Sequence, residues 1–360
     1  MALFEIKDID REVYETELRD FLPDKIFDIH THIWLDSMVS SSAGNSGLTV
    51  TWTSKVALDN SIEDLVESYR LMFPGKQCEA LIFANKVRKD NIDAVNNYVS
   101  ESSARSGFPA LYFSHPEQSA EYIDRMLARP EFYGLKSYLD LSPAYLPGDE
   151  IRCLDFFPPH QLEVLDRYGY IMMLHIPRSG RLRDKVNVAQ ILEIKEKYPN
   201  IKLIIAHVGR AYCKCDLGTA DFDALKELEK APDLLFDITA NCNDYVFAKL
   251  LEHTSPEHVL FGSDLPILRM RMRRIEQDGH YVNIVPPGLY GDISGDKNMA
   301  EAASEEEGRK LTFFMYEECL AMKRAAKAVG LTPADVEKIF YSNARKLIDG
   351  IKAKKEGATK

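Results

Sequence analysis

The sequence predicts an α/β fold, a closed (β/α)8 barrel. Three observations predict it. Short, almost wholly apolar runs of strand length recur along the chain, amphipathic helical stretches separate them, and the units number eight. Strands that apolar are buried on both faces, as in a parallel sheet covered by helices. Eight units fit a closed barrel, and no glycine-rich phosphate loop follows an early strand to favour an open doubly wound sheet.

The strand runs are residues 26–33, 79–85, 109–115, 133–139, 170–176, 202–209, 234–240 and 258–265. Helical stretches are expected at about 91–105, 119–128, 157–168, 188–198, 221–231 and 244–253. Residues 1–25 read as a helical lead-in. Residues 35–60, which include Ser40-Ser41-Ser42-Ala43-Gly44-Asn45-Ser46-Gly47, read as a long mobile loop. Ser61 then caps a helix with Ile62, Leu65, Val66 and Tyr69 on one face. After the eighth strand, residues 267–308 read as an irregular loop. It holds Arg269, Arg271, Arg273, Arg274 and the turn-rich Val285-Pro286-Pro287-Gly288-Leu289-Tyr290-Gly291. Two helices close the chain, the second opened by Thr332 as cap and Pro333 at its first position. One barrel domain over 26–349 is expected, followed by a charged, frayed tail over 350–360.

The 360 residues are 45% hydrophobic and 28% charged, which is ordinary for a globular chain with a large core. Net charge is −11 with both signs interspersed, which argues against nucleic-acid binding as a main task and says little about a small-molecule substrate. Six cysteines, at 78, 153, 213, 215, 242 and 319, form no disulfide framework. Cys213-x-Cys215 makes half a zinc site and reads as two incidental thiols. No basic-then-apolar leader opens the chain. No apolar run approaches the roughly 18 residues a membrane span needs. A cytoplasmic protein with no membrane partner is expected, and a homo-oligomer.

In a barrel the C-terminal strand ends face the active site. Of the nine histidines, five sit at expected strand ends: His30, His32, His115, His175 and His207. His30 and His32 share one face of the first strand, about 6.5 Å apart, and two imidazoles so placed can converge on one metal. Alone that pair is weak. Asp264 and Lys136 lie inside apolar runs, where a charge needs a partner, and one divalent metal accounts for most of this pattern. Asp28 lies in phase with His30 and reads as a supporting residue. Arg178 and Arg210 each follow a strand-end histidine by three residues. At least one grips an anionic substrate, or both make loop salt bridges. Trp34, two residues after His32, packs on the substrate or under the loop.

Taken in order, several stretches resemble the amidohydrolase superfamily. They are Asp28-Ile29-His30-Thr31-His32, Gly134-Leu135-Lys136, Leu174-His175, Ala206-His207-Val208-Gly209, Phe261-Gly262-Ser263-Asp264-Leu265-Pro266 and the closing 337–347 helix. Within it the chain is similar to the group that includes aminocarboxymuconate-semialdehyde decarboxylase, over about residues 24–349. The resemblance implies His30, His32, His175 and Asp264 around one divalent metal, zinc ahead of manganese. His207 would be a general acid/base, a stabiliser of a substrate oxygen or a ligand to a second metal. Asp264 would also handle the proton. Lys136 is carbamylated and bridges two ions in two-metal relatives; in single-metal ones it has no such role and could pair with a substrate carboxylate. The first expectation is hydrolysis, with a metal-activated water attacking an amide, ester or lactone carbonyl of a small carboxylated molecule. The second is non-oxidative decarboxylation of a carboxylated ring or dienyl compound on the same site. The third is a metal-independent lactonase in which the histidines and Lys136 act directly.

Overall fold

The computed structural model of the chain describes residues 3–38, 53–85 and 91–358. Eight parallel strands pair in sequence order: β1 (Lys25–Ile33), β2 (Gln77–Ala84), β3 (Ala110–Phe113), β4 (Phe132–Lys136), β5 (Ile171–Leu174), β6 (Lys202–Ile205), β7 (Leu235–Asp237) and β8 (Val259–Leu260). Their residues are buried almost throughout, because helices cover the outer face and side chains fill the inner one. The covering helices are α1 (Ile62–Met72), α2 (Ile92–Ser106), α3 (Ala120–Leu127), α4 (Pro159–Tyr168), α5 (Lys185–Lys197), α6 (Ala224–Leu228) and α7 (Asp244–His253), one after each of the first seven strands. Two more, α8 (Phe314–Val329) and α9 (Asn343–Ala358), close the chain.

The ladder ends at β8, and the stretch after it closes the barrel onto β1. Ile29 donates its amide to the Phe261 carbonyl at 2.9 Å, and His32 to that of Leu265 at 3.0 Å. The His30 carbonyl accepts from Ser263 at 3.1 Å and from Asp264 at 2.8 Å. The barrel is therefore nearly closed, with its seam at the candidate site.

Most strands end two to five residues before their apolar runs do. Past the ladder the chain turns over the rim, and the turn residues adopt left-handed backbone: His207 (φ 57°), Val208 (50°), Ala240 (51°) and Asp264 (52°). Such residues cannot continue a strand. Ser61 caps α1 as expected, accepting the Asp64 amide at 3.0 Å while the Asp64 carboxylate accepts the Ser61 amide at 3.0 Å. The Thr332 cap is also present.

Two expectations are corrected. Residues 267–308 are not an irregular loop throughout: they hold a three-stranded sheet of β9 (Arg273–Gln277), β10 (His280–Val285) and β11 (Met299–Glu301). Asp278 (φ 51°) and Gly279 (φ 75°) make the two-residue turn between β9 and β10, as Asp-Gly pairs do in hairpins. The charged stretch from Ile351 is helical, continuing α9 to Ala358 behind the buried Ile348 and Ile351. Of the expected loop at 35–60, residues 39–52 lie outside the described ones. The six cysteines are free thiols.

The lead-in helix (Asp8–Val13) is locked to the segment after β8 by a buried pair. Asp10 accepts two hydrogen bonds from Arg271, at 2.8 and 2.7 Å, and one from Thr312 at 2.7 Å. Removing one partner strands a buried charge, which costs roughly 3–5 kcal/mol. Asp10→Ala should lower unfolding free energy in urea by about 3 kcal/mol or more; a change below about 1 kcal/mol would show that the pair holds nothing together.

Candidate active site

His30 and His32 come from the end of β1, Lys136 from the end of β4, and His175 and His207 from just beyond β5 and β6. Asp264 follows β8. Close approach at the seam needs Gly262: a Cβ there would fall 2.7 Å from His30 Cβ and 2.3 Å from Thr239 Oγ1. Asp28 fastens the same seam. Its carboxylate accepts the amides of His30 at 3.1 Å and Ser263 at 2.9 Å, the Tyr69 hydroxyl at 2.6 Å, and the Ser263 hydroxyl.

Hydrogen bonds fix the imidazoles. His32 Nδ1 lies 3.1 Å from the Ala84 carbonyl, and His207 Nδ1 lies 3.0 Å from that of Thr239. A carbonyl only accepts, so each Nδ1 carries a hydrogen and each Nε2 presents its lone pair. His30 Nδ1 faces Asp237 Oδ2 at 2.9 Å, with the same consequence. Asp264 Oδ1 then stands 3.0 Å from His32 Nε2 and 3.9 Å from His30 Nε2. The donor atoms of His30, His32 and Asp264 lie within 4.8 Å of one another, the only such group among the described residues. Lone pairs at that range repel unless a proton or cation lies between them. Two imidazole nitrogens and a carboxylate are the donor set of a divalent transition metal, so the residues fit one.

Burial opposes the charge on Asp264, yet the surrounding imidazoles of His32, His207 and His30 hold its carboxyl well below the usual range. Burial pulls His207 down to about 4, helped by His30 beside it. Burial, then the Arg210 charge, keeps His175 well below its ordinary value. Lys136 is pulled down to about 8 by burial, against the attraction of Asp237 and Asp264. Its ammonium lies 5.8 Å from the Phe83 ring centre and 5.7 Å from that of Tyr138.

His207 joins the cluster, its ring 4.9 Å from His30 and 5.4 Å from His175. His175 itself stands outside the three-residue donor group, a departure from the expected four. Its ring packs on Tyr138 at 4.9 Å, and its buried Nδ1 has no hydrogen-bond partner among the described residues. Burying an unpaired polar atom is costly, so this nitrogen is free to take a cation, a water or a substrate atom. Arg178 is taken by Asp184 at 2.8 Å. Arg210 donates to the carbonyls of Ile176 at 3.2 Å and Pro177 at 3.4 Å, within electrostatic reach of His175 and Tyr138. Trp34 is buried, its indole donating to the Leu58 carbonyl at 2.7 Å. Sequence reasoning missed Asp237. Both its oxygens work: Oδ2 faces His30, while Oδ1 accepts the amides of His207 at 2.7 Å and Thr239 at 3.2 Å. The signal was there, an acid inside the apolar run Leu234-Leu235-Phe236-Asp237-Ile238.

Comparison with known proteins follows this geometry. No curated protein matches the chain. Among solved structures, a dihydroxybenzoic acid decarboxylase from a Polaromonas species, with bound manganese and the inhibitor 2-nitroresorcinol, is 14% identical, covering 91% of this chain and 97% of that one at TM-score 0.53. A 5-carboxyvanillate decarboxylase from Novosphingobium aromaticivorans, also with manganese, is 12% identical, covering 91% and 96% at TM-score 0.50. Amidohydrolase 2 from Bifidobacterium longum subsp. infantis is 13% identical, covering 91% and 99% at TM-score 0.51. At such identities the likeness speaks for the fold. The sequence model of the Amidohydrolase family matches residues 27–349, nearly the whole chain. This chain, a barrel with its histidines and Asp264 at the strand ends, belongs to the amidohydrolase family.

Proposed function

We propose that the chain is a metal-dependent decarboxylase of a small carboxylated aromatic acid, with His30, His32 and Asp264 holding one divalent ion and His175 beside them. The observation that carries the metal is the pair of fixed tautomers that turn two bare Nε2 atoms toward Asp264 Oδ1. Decarboxylation moves ahead of hydrolysis, the order reversed from that expected of the sequence, because ring-acid decarboxylases share this fold over nearly their whole length. Manganese is the ion in both of those structures, and it takes its place beside zinc here.

When bound, a divalent ion polarises a substrate oxygen and steadies negative charge on it. The chain's own residues supply the rest. Lys136 and Arg210 are the cations for the substrate carboxylate, and the rings of Phe83 and Tyr138 beside Lys136 suit a planar acid. In the reaction the bond from ring carbon to carboxylate breaks, its electron pair stays on the ring, and that carbon takes up a proton. His207 is the proton carrier. Its Nδ1 hydrogen is committed to Thr239, so the proton travels through Nε2. With a value of about 4 it rests as a base, so Nε2 takes up a proton from solvent water and passes it to the ring carbon. Asp264 stays ionised.

Manganese-loaded enzyme should convert a hydroxylated benzoate to the ring product with stoichiometric carbon dioxide and no label from ¹⁸O water. No gas from the benzoate, with water-derived label in the new carboxyl group of a carboxylated ester, amide or lactone offered in its place, would restore the hydrolase. Chelation should abolish the decarboxylation and manganese or zinc restore it; lactone cleavage that survives chelation would favour the metal-independent lactonase. His207→Asn should lower kcat by roughly 10²–10⁴-fold with metal content unchanged, and a kcat near wild type would remove His207 from proton transfer. Asp237→Asn cannot accept from both His30 and the His207 amide, so metal affinity by chelator competition should fall by roughly 10–100-fold. Unchanged affinity would mean that His30 needs no such orientation.

A further inference from the structure

We propose that Asn60 and Arg269 are positioning residues that tie the two halves of the metal site together, an inference that rests on reading His32 and Asp264 as ligands. Neither residue belongs to the donor group. Asn60 is fully buried. Its Nδ2 donates to the His32 carbonyl at 2.6 Å, and its Oδ1 accepts from an Arg269 guanidinium nitrogen. Its backbone pairs with Trp34 in both directions, at 2.9 and 3.0 Å, which pins the segment to the end of β1. Arg269, only 8% exposed, lies on the short turn Ile267–Arg269, whose first amide donates to the Asp264 carbonyl at 2.8 Å. A continuous path of hydrogen bonds and one short turn thus runs from the His32 peptide through Asn60 and Arg269 to Asp264.

The arrangement restrains His32 at both ends of its peptide unit. Its amide donates to the Leu265 carbonyl at 3.0 Å, and its carbonyl accepts from Asn60. Both partners lead to the segment that carries Asp264. Ligand geometry tolerates little error, and groups that orient ligands are worth roughly 10–100-fold in metal affinity. A side chain present only to fill space would not need a donor and an acceptor aimed at two different strand exits.

The test compares metal affinity with the stability of the metal-free protein, in the full chain. Asn60→Asp keeps the size of the side chain and its acceptor for Arg269, and adds a charge pair, but cannot donate to the His32 carbonyl. The carboxylate oxygen now facing the His32 carbonyl repels it, and the charge pair with Arg269 offsets part of that cost, so the metal-free melting temperature should fall by a few degrees at most, while affinity for manganese and zinc, measured against a chelating dye, falls by roughly 10–100-fold. Arg269→Met, similar in volume, removes the tie from the other side and should lose affinity by roughly 10-fold or more. Affinity within about twofold of wild type in whichever variant folds, or an affinity loss that merely tracks a loss of metal-free stability, would overturn the inference. A wild-type chain that binds neither ion would overturn the reading of the site and this inference with it.

Discussion

The carbonyl of His30 accepts the amides of both Ser263 and Asp264, and the Asp28 carboxylate gathers Ser263, Tyr69 and the His30 amide beneath it. Closing the barrel and bringing Asp264 to the histidines are therefore one event at one seam. A parallel barrel has no hairpin to join its first and last strands, and here β8 is only two residues long. Four backbone hydrogen bonds past its end complete the closure, and each involves the stretch of β1 that carries the two histidines. Whatever loosens the seam loosens the site.

Electrostatics sharpen the arrangement. Three acids are buried, Asp28, Asp237 and Glu318, the last within electrostatic reach of the other two. Burial pushes Asp28 up to about 7 despite four donors, and pushes Glu318 on α8 well above its ordinary value. Burial works against Asp237 as well, but the charges and hydrogen bonds of His30 and His207 hold it low. Negative charge is thus concentrated where it orients an imidazole and is kept small elsewhere. A carboxylate behind a ligating histidine raises the basicity of that ligand.

Much of this was legible in the sequence, because apolar periodicity reports burial and burial reports strand order in a barrel. The histidines and Asp264 were legible because they break apolar runs at matching places. Other features depend on partners far away in the chain. Asp237 acquires its role from His30, 207 residues earlier, and Asn60 acquires its role from Arg269. The spacing of Arg178 and Trp34 left a substrate contact and a loop contact equally open, and only the fold brings Asp184 to the one and the Leu58 carbonyl to the other. Strand lengths were overread because an apolar run continues into the rim turn, where side chains are still buried but the backbone has left the ladder. The β9–β10 hairpin was readable from Asp278-Gly279 and was hidden by the arginines and prolines around it.

The rim after β6 carries His207, Val208, Gly209 and Arg210 in succession with φ between 50° and 62°. For each of the three that are not glycine, left-handed backbone costs roughly 1–2 kcal/mol. Val208, branched at Cβ, is the least suited of them. A selection for heat-resistant variants would therefore be drawn to this stretch and would favour glycine or asparagine there. Such variants would gain stability in the part of the chain that aims His207. In laboratory evolution of this barrel, thermostability and turnover would be expected to part company first at these three positions.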